Sequence, residues 1–188
     1  MKQAEKFLMA TLILLTISSM NTEVVRGQNP AQMEVPADYG YVVKPGEQAP
    51  DFEMTLTDGK KVRLTDLKGR VVMLQFTASW CGVCRKEMPF IEKDIWQKHQ
   101  ANDRFVLIGI DRDEPLDKVI AFGKAVGVTY PLGLDPGADI FAKYALRESG
   151  ITRNVLIDRD GRIVKLTRLY NEEDFASLVA HIDAMLTK

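Results

Sequence analysis

The segment Val71-Val-Met-Leu-Gln-Phe76 limits what this chain can fold into more than any other stretch. It is apolar except for Gln75 and rich in β-formers, with no alternation that would turn one side to water. A strand of that kind has to be covered on both faces, which calls for a sheet with helices packed above and below. The following residues supply such cover. From about Cys81 to His99, Met88, Ile91, Ile95 and Trp96 recur at helical spacing, so the strand feeds a helix. Phe105–Asp111 reads as a second buried strand. Leu116–Val126 reads as a helix entered through Asp113-Glu114-Pro115, and Asp139–Leu146 as a short helix.

Two hairpins frame this α/β centre. Asp51–Leu56 and Lys61–Leu64 flank Thr57-Asp58-Gly59-Lys60, and Asn154–Asp158 and Ile163–Leu169 flank Arg159-Asp160-Gly161-Arg162. In both turns Asp-Gly supplies the positive φ that a tight hairpin needs. The last helix is predicted from Asn171 as N-cap, with Glu172, Glu173 and Asp174 in its first turn. Phe175, Leu178, Val179, Ile182 and Met185 share its apolar face.

The N-terminus reads as an export signal rather than as part of the fold. Lys2 and Lys6 precede the apolar run from Phe7 to Met20, which is shorter than the roughly 20 residues that span a bilayer. Val25 and Gly27 stand at −3 and −1 of a cut before Gln28, as signal peptidase requires. The competing readings are an uncleaved signal that tethers the protein to the membrane and a buried helix, the latter disfavoured because no polar face interrupts the run. A lipid anchor is excluded, because no cysteine lies near the cut. Residues 28–45, punctuated by Pro30 and Pro36, read as a linker or extended arm, and residues 46–188 as the compact domain.

Counting narrows the chemistry. Lys and Arg number 25 against 26 Asp and Glu, and no basic cluster offers a surface to nucleic acid. The only cysteines are Cys81 and Cys84, which excludes a multiply bridged scaffold and a four-cysteine zinc site. Spaced i and i+3 at the start of a helix, the two sulfurs are close enough to form a disulfide. The unpaired N–H groups and dipole of the helix end stabilise a thiolate there. Cys81, nearest the helix end, is expected to attack a partner disulfide, and Cys84 to resolve the mixed disulfide. The alternative is a static bridge, but a loop this short constrains the unfolded chain weakly.

Gly46-x-x-Ala49-Pro-Asp-Phe52, Asp58-Gly-Lys60, Leu67-Lys-Gly69, the apolar strand and Trp80-Cys-Gly-Val-Cys-Arg-Lys-Glu-Met-Pro89 together resemble the extracytoplasmic thioredoxin-like family of TlpA and ResA type. The resemblance covers nearly all of residues 46–186. It implies a thioredoxin fold: a central mixed sheet flanked by helices, an N-terminal β-hairpin extension and a helical insertion after the cysteine helix. It also implies exchange with protein thiols and disulfides, no organic cofactor, no metal, a bacterial periplasmic location and, for an exported reductase, a membrane thiol electron donor.

Individual positions refine what the resemblance implies. Trp80 is expected beside the reactive sulfur as a contact surface; the plainer alternative is a core aromatic. Pro89 falls inside the helix, with a structural role only. Where cytoplasmic thioredoxins carry a buried aspartate, this chain has Gln75, which accepts no proton. Glu87, three residues after Cys84 on the same helix face, matches the acid that ResA-type proteins place beside their cysteines. It is expected to exchange a proton with the thiols, the alternative being a solvated glutamate paired with Arg85 or Lys86. Thr152, in Ile151-Thr-Arg-Asn154, occupies the family's cis-proline position. A cis bond there would cost about 2.5–4 kcal/mol, so a trans bond is expected. Ile151 and Thr152 should face the cysteine pair and meet a bound peptide, with the Thr152 hydroxyl able to bond a sulfur, the alternative being a plain loop threonine. Gly82 and Val83, between the cysteines, match neither the Gly-Pro of reducing thioredoxins nor the Pro-His of strong oxidants, so they leave the direction of electron flow open; a reductase or isomerase is favoured.

Two other classes compete. Thioredoxin-fold peroxidases carry Pro-x-x-x-Thr/Ser-x-x-Cys, where this chain has Leu74 and Ala78. Copper-delivery relatives use wider cysteine spacing and a placed histidine, whereas His99 and His181 read as solvent-facing. Asp111-Arg-Asp113-Glu114 lacks calcium-loop spacing and is expected to cap the helix that follows. A cleaved signal makes a direct prediction: mass spectrometry of the exported product should find Gln28 at its N-terminus, and a product retaining Phe7–Met20 would establish the tether instead.

Overall fold

The structure, a computed structural model, describes residues 36–187. The expected signal, 1–27, and the first part of the linker lie outside the described residues. Seven strands form one mixed sheet: β1 (Glu53–Leu56), β2 (Lys61–Arg63), β3 (Val71–Thr77), β4 (Phe105–Arg112), β5 (Leu132–Asp135), β6 (Arg153–Ile157) and β7 (Ile163–Arg168). Their order is β2-β1-β5-β4-β3-β6-β7. β3, β4 and β5 run parallel, while β6 and β7 on one side and β1 and β2 on the other are antiparallel. This is the thioredoxin fold expected from the sequence.

The apolar run does what its composition demands. Every residue of β3 is buried, and its neighbours β4 and β6 are nearly as dry. Helix α1 (Gly82–Ile91) follows β3 through a short loop and contains Pro89. Proline removes one backbone donor, and the helix continues as a wide π-turn at Glu92–Trp96 before ending in α2 (Gln97–His99). Helix α3 (Leu116–Val126) links β4 to β5, and α4 (Phe141–Tyr144) precedes β6. Helix α5 (Glu172–Thr187) closes the chain. Its Asn171 cap forms as predicted, the carboxamide oxygen accepting from the N–H groups of Glu173 and Asp174 at 2.9 and 3.0 Å. Both Asp-Gly turns place glycine at positive φ, +86° at Gly59 and +81° at Gly161.

Two elements differ from the sequence expectation. The short helix expected over Asp139–Leu146 is confined to Phe141–Tyr144. The Asp135 carboxylate takes the N–H groups of Ile140 and Phe141, each at 2.8 Å. At the other end Ala145 turns extended to bridge Tyr41. Strand β5 had no separate signal, because Pro131-Leu-Gly-Leu-Asp135 is too short and too punctuated to show a period. It joins the β1–β2 hairpin to the rest of the sheet. Before Pro45 the chain crosses the body as an arm. The Val42 N–H bonds the Tyr144 carbonyl, and the Tyr41 hydroxyl donates to the carbonyls of Thr167 and Asn154.

Phe76 sits where sheet and α4 meet, its ring 5.5 Å from those of both Phe141 and Tyr144. Truncating it removes a fully buried ring from a site that cannot collapse around the gap. Phe76→Ala should therefore cost about 3–5 kcal/mol, read as a lower denaturant midpoint with an unchanged slope.

Candidate active site

Strand β3 ends at Thr77, and the next four residues carry the chain to the start of α1. Ser79 is held from three sides. Its N–H and hydroxyl both bond the Glu114 carboxylate, at 2.5 and 2.7 Å, and its carbonyl accepts from Arg85 Nε at 2.8 Å. Lys118 Nζ lies 2.5 Å from the same carboxylate. Burial works against the Glu114 charge, but Lys118 and the two Ser79 donors outweigh it and hold the carboxyl below its ordinary range. With Ser79 anchored, Trp80 projects outward, 62% exposed. It is a surface aromatic rather than part of the core.

Cys81 is the N-cap of α1. Where a cap is usually a serine or aspartate oxygen, here the Cys81 sulfur accepts the Cys84 N–H at 3.1 Å. The two cysteines are joined as a disulfide. Cys81 is 7% exposed and Cys84 0%, with Gly82 and Val83 on the surface between them. Across from the pair, the buried Thr152 hydroxyl lies 3.1 Å from Cys81 Sγ and 3.3 Å from Cys84 Sγ. No cis peptide occurs among the described residues, so the Ile151–Thr152 bond is trans. The Ile151 side chain is buried.

Beneath α1 runs a row of buried polar side chains. Gln75 of β3 pairs in register with Asn154 of β6, and Asn154 with Thr167 of β7. On the other side Gln75 pairs with Gly109 of β4, whose missing side chain leaves room for Tyr130 to reach over. The Tyr130 hydroxyl donates to Gln75 Oε1 at 2.7 Å, and Asn154 Nδ2 bonds Thr167 Oγ1 at 3.0 Å. Glu87 descends from α1 into this row and accepts from Asn154 Nδ2 at 2.7 Å. It is buried, not paired with Arg85 or Lys86 in solvent. Glu87 Oε2 and Gln75 Nε2 each lack a bond of good geometry. Burial pushes Glu87 up to about 7, although the Asn154 and Gln75 amides favour its charged form.

A second buried carboxyl, Asp111, lies next to the end of β4 opposite Thr77 in β3, and neither of its oxygens has a hydrogen-bond partner. Burial raises it to about 8, helped by the nearby Glu114 and Asp135 carboxylates and opposed by Lys118. The acidic segment does not cap α3, as its position in the sequence suggested. The N-cap is Pro115, without a side-chain bond; Asp113 accepts from the Gly137 N–H, and Glu114 turns back to Ser79. The long-range partners Asn154, Thr167, Tyr130 and Ser79 carried only one signal in sequence, polarity inside or beside a buried strand.

Comparison with known proteins agrees with this geometry. A family model described as Redoxin matches residues 44–184. The thiol-disulfide oxidoreductase ResA of Bacillus cereus is 35% identical over 120 residues, covering 64% of this chain and 67% of its own. ResA of Geobacillus thermodenitrificans is 27% identical over 177 residues, covering 93% and 94%. Among solved structures, a candidate protein disulfide isomerase from Bacteroides thetaiotaomicron has 77% identity and a TM-score of 0.78, covering 80% of this chain and 94% of its own. A candidate thiol:disulfide interchange protein DsbE from Chlorobium tepidum has 28% identity and a TM-score of 0.65, covering 77% and 99%.

The two raised carboxyls make stability depend on pH. The fold holds protons on Asp111 and Glu87 that the unfolded chain releases above about pH 4 to 5, near the ordinary carboxyl range. Stability therefore falls as pH rises from that range and levels off above about 7 for Glu87 and about 8 for Asp111. Asn mimics the neutral acid, so Asp111→Asn should flatten this decline, most visibly just above neutrality. Urea midpoints of the oxidised protein across this range test it; a variant that declines as steeply as wild type contradicts the burial of a neutral Asp111.

Proposed function

Because the chain belongs to the redoxin family and is a thiol–disulfide oxidoreductase of ResA and DsbE type, we propose that it reduces or isomerises disulfides of polypeptide clients outside the cytoplasm. The observation that carries this is the unequal setting of the two sulfurs. Cys81 caps the helix and retains a little exposure, while Cys84 is sealed behind it.

The exchange then runs in two displacements. The Cys81 thiolate attacks one sulfur of a client disulfide, forming a mixed disulfide and releasing the client's other sulfur as a thiolate. The Cys84 thiolate attacks Cys81 Sγ, closes the internal disulfide and releases the second client thiolate. Two electrons pass to the client, and a membrane thiol donor would return them.

Glu87 serves as the local proton store. It lies one helical turn from Cys84 and is poised near neutrality, so its carboxylate takes the Cys84 proton before the second displacement. Trp80, Gly82 and Val83 offer the outer surface to the client. Ile151, whose side chain is committed to the core, contributes only backbone, and Thr152 faces the sulfurs themselves. Export rests on the Lys2, Lys6 and Phe7–Met20 pattern, with the periplasm as destination and a membrane tether if the signal is retained.

Reduction of insulin by dithiothreitol should be accelerated by the wild type and lost in Cys81→Ala. Cys84→Ala should accumulate mixed disulfides on Cys81 in the native envelope, and the trapped proteins are the clients. Glu87→Gln should slow resolution on the order of tenfold or more at neutral pH and flatten its pH dependence near 7. A Cys81→Ala protein as active as wild type would overturn the proposal.

A further inference from the structure

Thr152 is set apart by its partners. The residue is 3% exposed, and the two cysteine sulfurs are the only side-chain hydrogen-bond partners of its hydroxyl among the described residues. With the sulfurs joined, neither carries a proton, so the only hydrogen available between them is that of the hydroxyl. Its placement is enforced. Arg153, the next residue, begins β6 opposite Phe76, and the Thr152 carbonyl accepts the Leu169 N–H at 3.2 Å. Leu169, the donor of that bond, has a φ of +63°, a left-handed conformation that is costly for a bulky side chain. A proline at this position would supply no hydroxyl at all.

We infer that Thr152 is a catalytic residue whose single hydroxyl proton follows the negative charge, donated first to the Cys81 thiolate and then to the Cys84 thiolate as it attacks. The role rests on the exchange reaction proposed above and adds to it a second donor at Cys81 and the one side-chain donor at Cys84. Before attack the Cys81 thiolate receives two hydrogen bonds, from the Cys84 N–H and from Thr152. Once Cys81 is tied up in the mixed disulfide its charge is gone. The hydroxyl, nearly equidistant, turns to the sulfur of Cys84, which has no other side-chain donor among the described residues. No atom of Thr152 is consumed. A buried donor is effective here because little water reaches the sulfurs, Cys81 being 7% and Cys84 0% exposed, and a hydrogen bond to an ion is stronger than one to a neutral group.

The test separates the hydroxyl from the shape around it. Thr152→Val keeps the shape and removes the donor; Thr152→Ser keeps the donor and removes the methyl; Thr152→Ala removes both and serves if the valine variant does not fold. Iodoacetamide alkylation of Cys81 in the reduced proteins, followed by mass spectrometry across pH, reads the thiolate fraction. Glu87 is the same in every variant, so its own titration cancels in the comparison. The valine and alanine variants should show the Cys81 midpoint raised by about one unit, a roughly tenfold loss of thiolate below it. They should also show a more reducing potential and a longer-lived mixed disulfide, with serine close to wild type throughout. A valine or alanine variant that titrates like wild type, or a serine variant that shifts as far as valine, overturns the inference. Insulin reduction by wild type and Cys81→Ala is scored separately, so a failure of the exchange reaction is distinguishable from a failure of the Thr152 role.

Discussion

The hydrogen bond from the Cys84 N–H to the Cys81 sulfur is the constraint around which the site is organised. A helix end leaves its first amides without partners, and here a sulfur takes one of them, so the reactive atom and the start of the helix occupy the same point. Everything else positions that point. Strand β3, dry on both faces, delivers the chain to it, α1 leads away from it, and the loop before β6 faces it. Were the cap an oxygen, it could still take the amide but there would be no sulfur to exchange electrons.

The same economy explains the buried carboxyls. A domain of this size gains nothing in stability from Glu87 or Asp111 below a sheet surface, since burial disfavours their charge. Asn154, itself held by Thr167, gives Glu87 a single hydrogen bond, and Glu92 shows what a fully satisfied buried carboxylate looks like in this protein. Its two oxygens take the Thr129 amide and hydroxyl at 2.8 and 2.7 Å. Glu87 and Asp111 each keep unpaired oxygens instead. Glu87 breaks the rule of full pairing on the cysteine helix itself, which is the pattern expected where chemistry rather than stability sets the residue.

Much of this was legible in the chain. The run Val71–Phe76, the two Asp-Gly turns, the Asn171 cap and the Trp80-Cys81-Gly-Val-Cys84 motif each act over a few residues, so pattern alone locates them. The polar row was not legible, because it depends on register. Gln75, Asn154 and Thr167 become neighbours only when β3, β6 and β7 align, and Tyr130 reaches Gln75 only because Gly109 has no side chain. The role of Glu114 was hidden for a similar reason. Its sequence neighbours suggest a cap for α3, and only the return of β3 beside β4 brings Ser79 within reach. Thr152 stands at the family's cis-proline position in the sequence, but its nearness to both sulfurs is a fact of three dimensions.

The three bonds at Ser79 have a bearing on client binding. Under the proposed function, a polypeptide packing on Trp80 would not have to immobilise the loop beneath it, since Glu114 and Arg85 already hold Ser79. The entropy that a mobile loop would lose on docking has been lost during folding, which leaves more of the contact for affinity. A stiff platform also favours clients that are themselves pliable: an unfolded segment can shape itself around a fixed indole, whereas two rigid surfaces must match in advance.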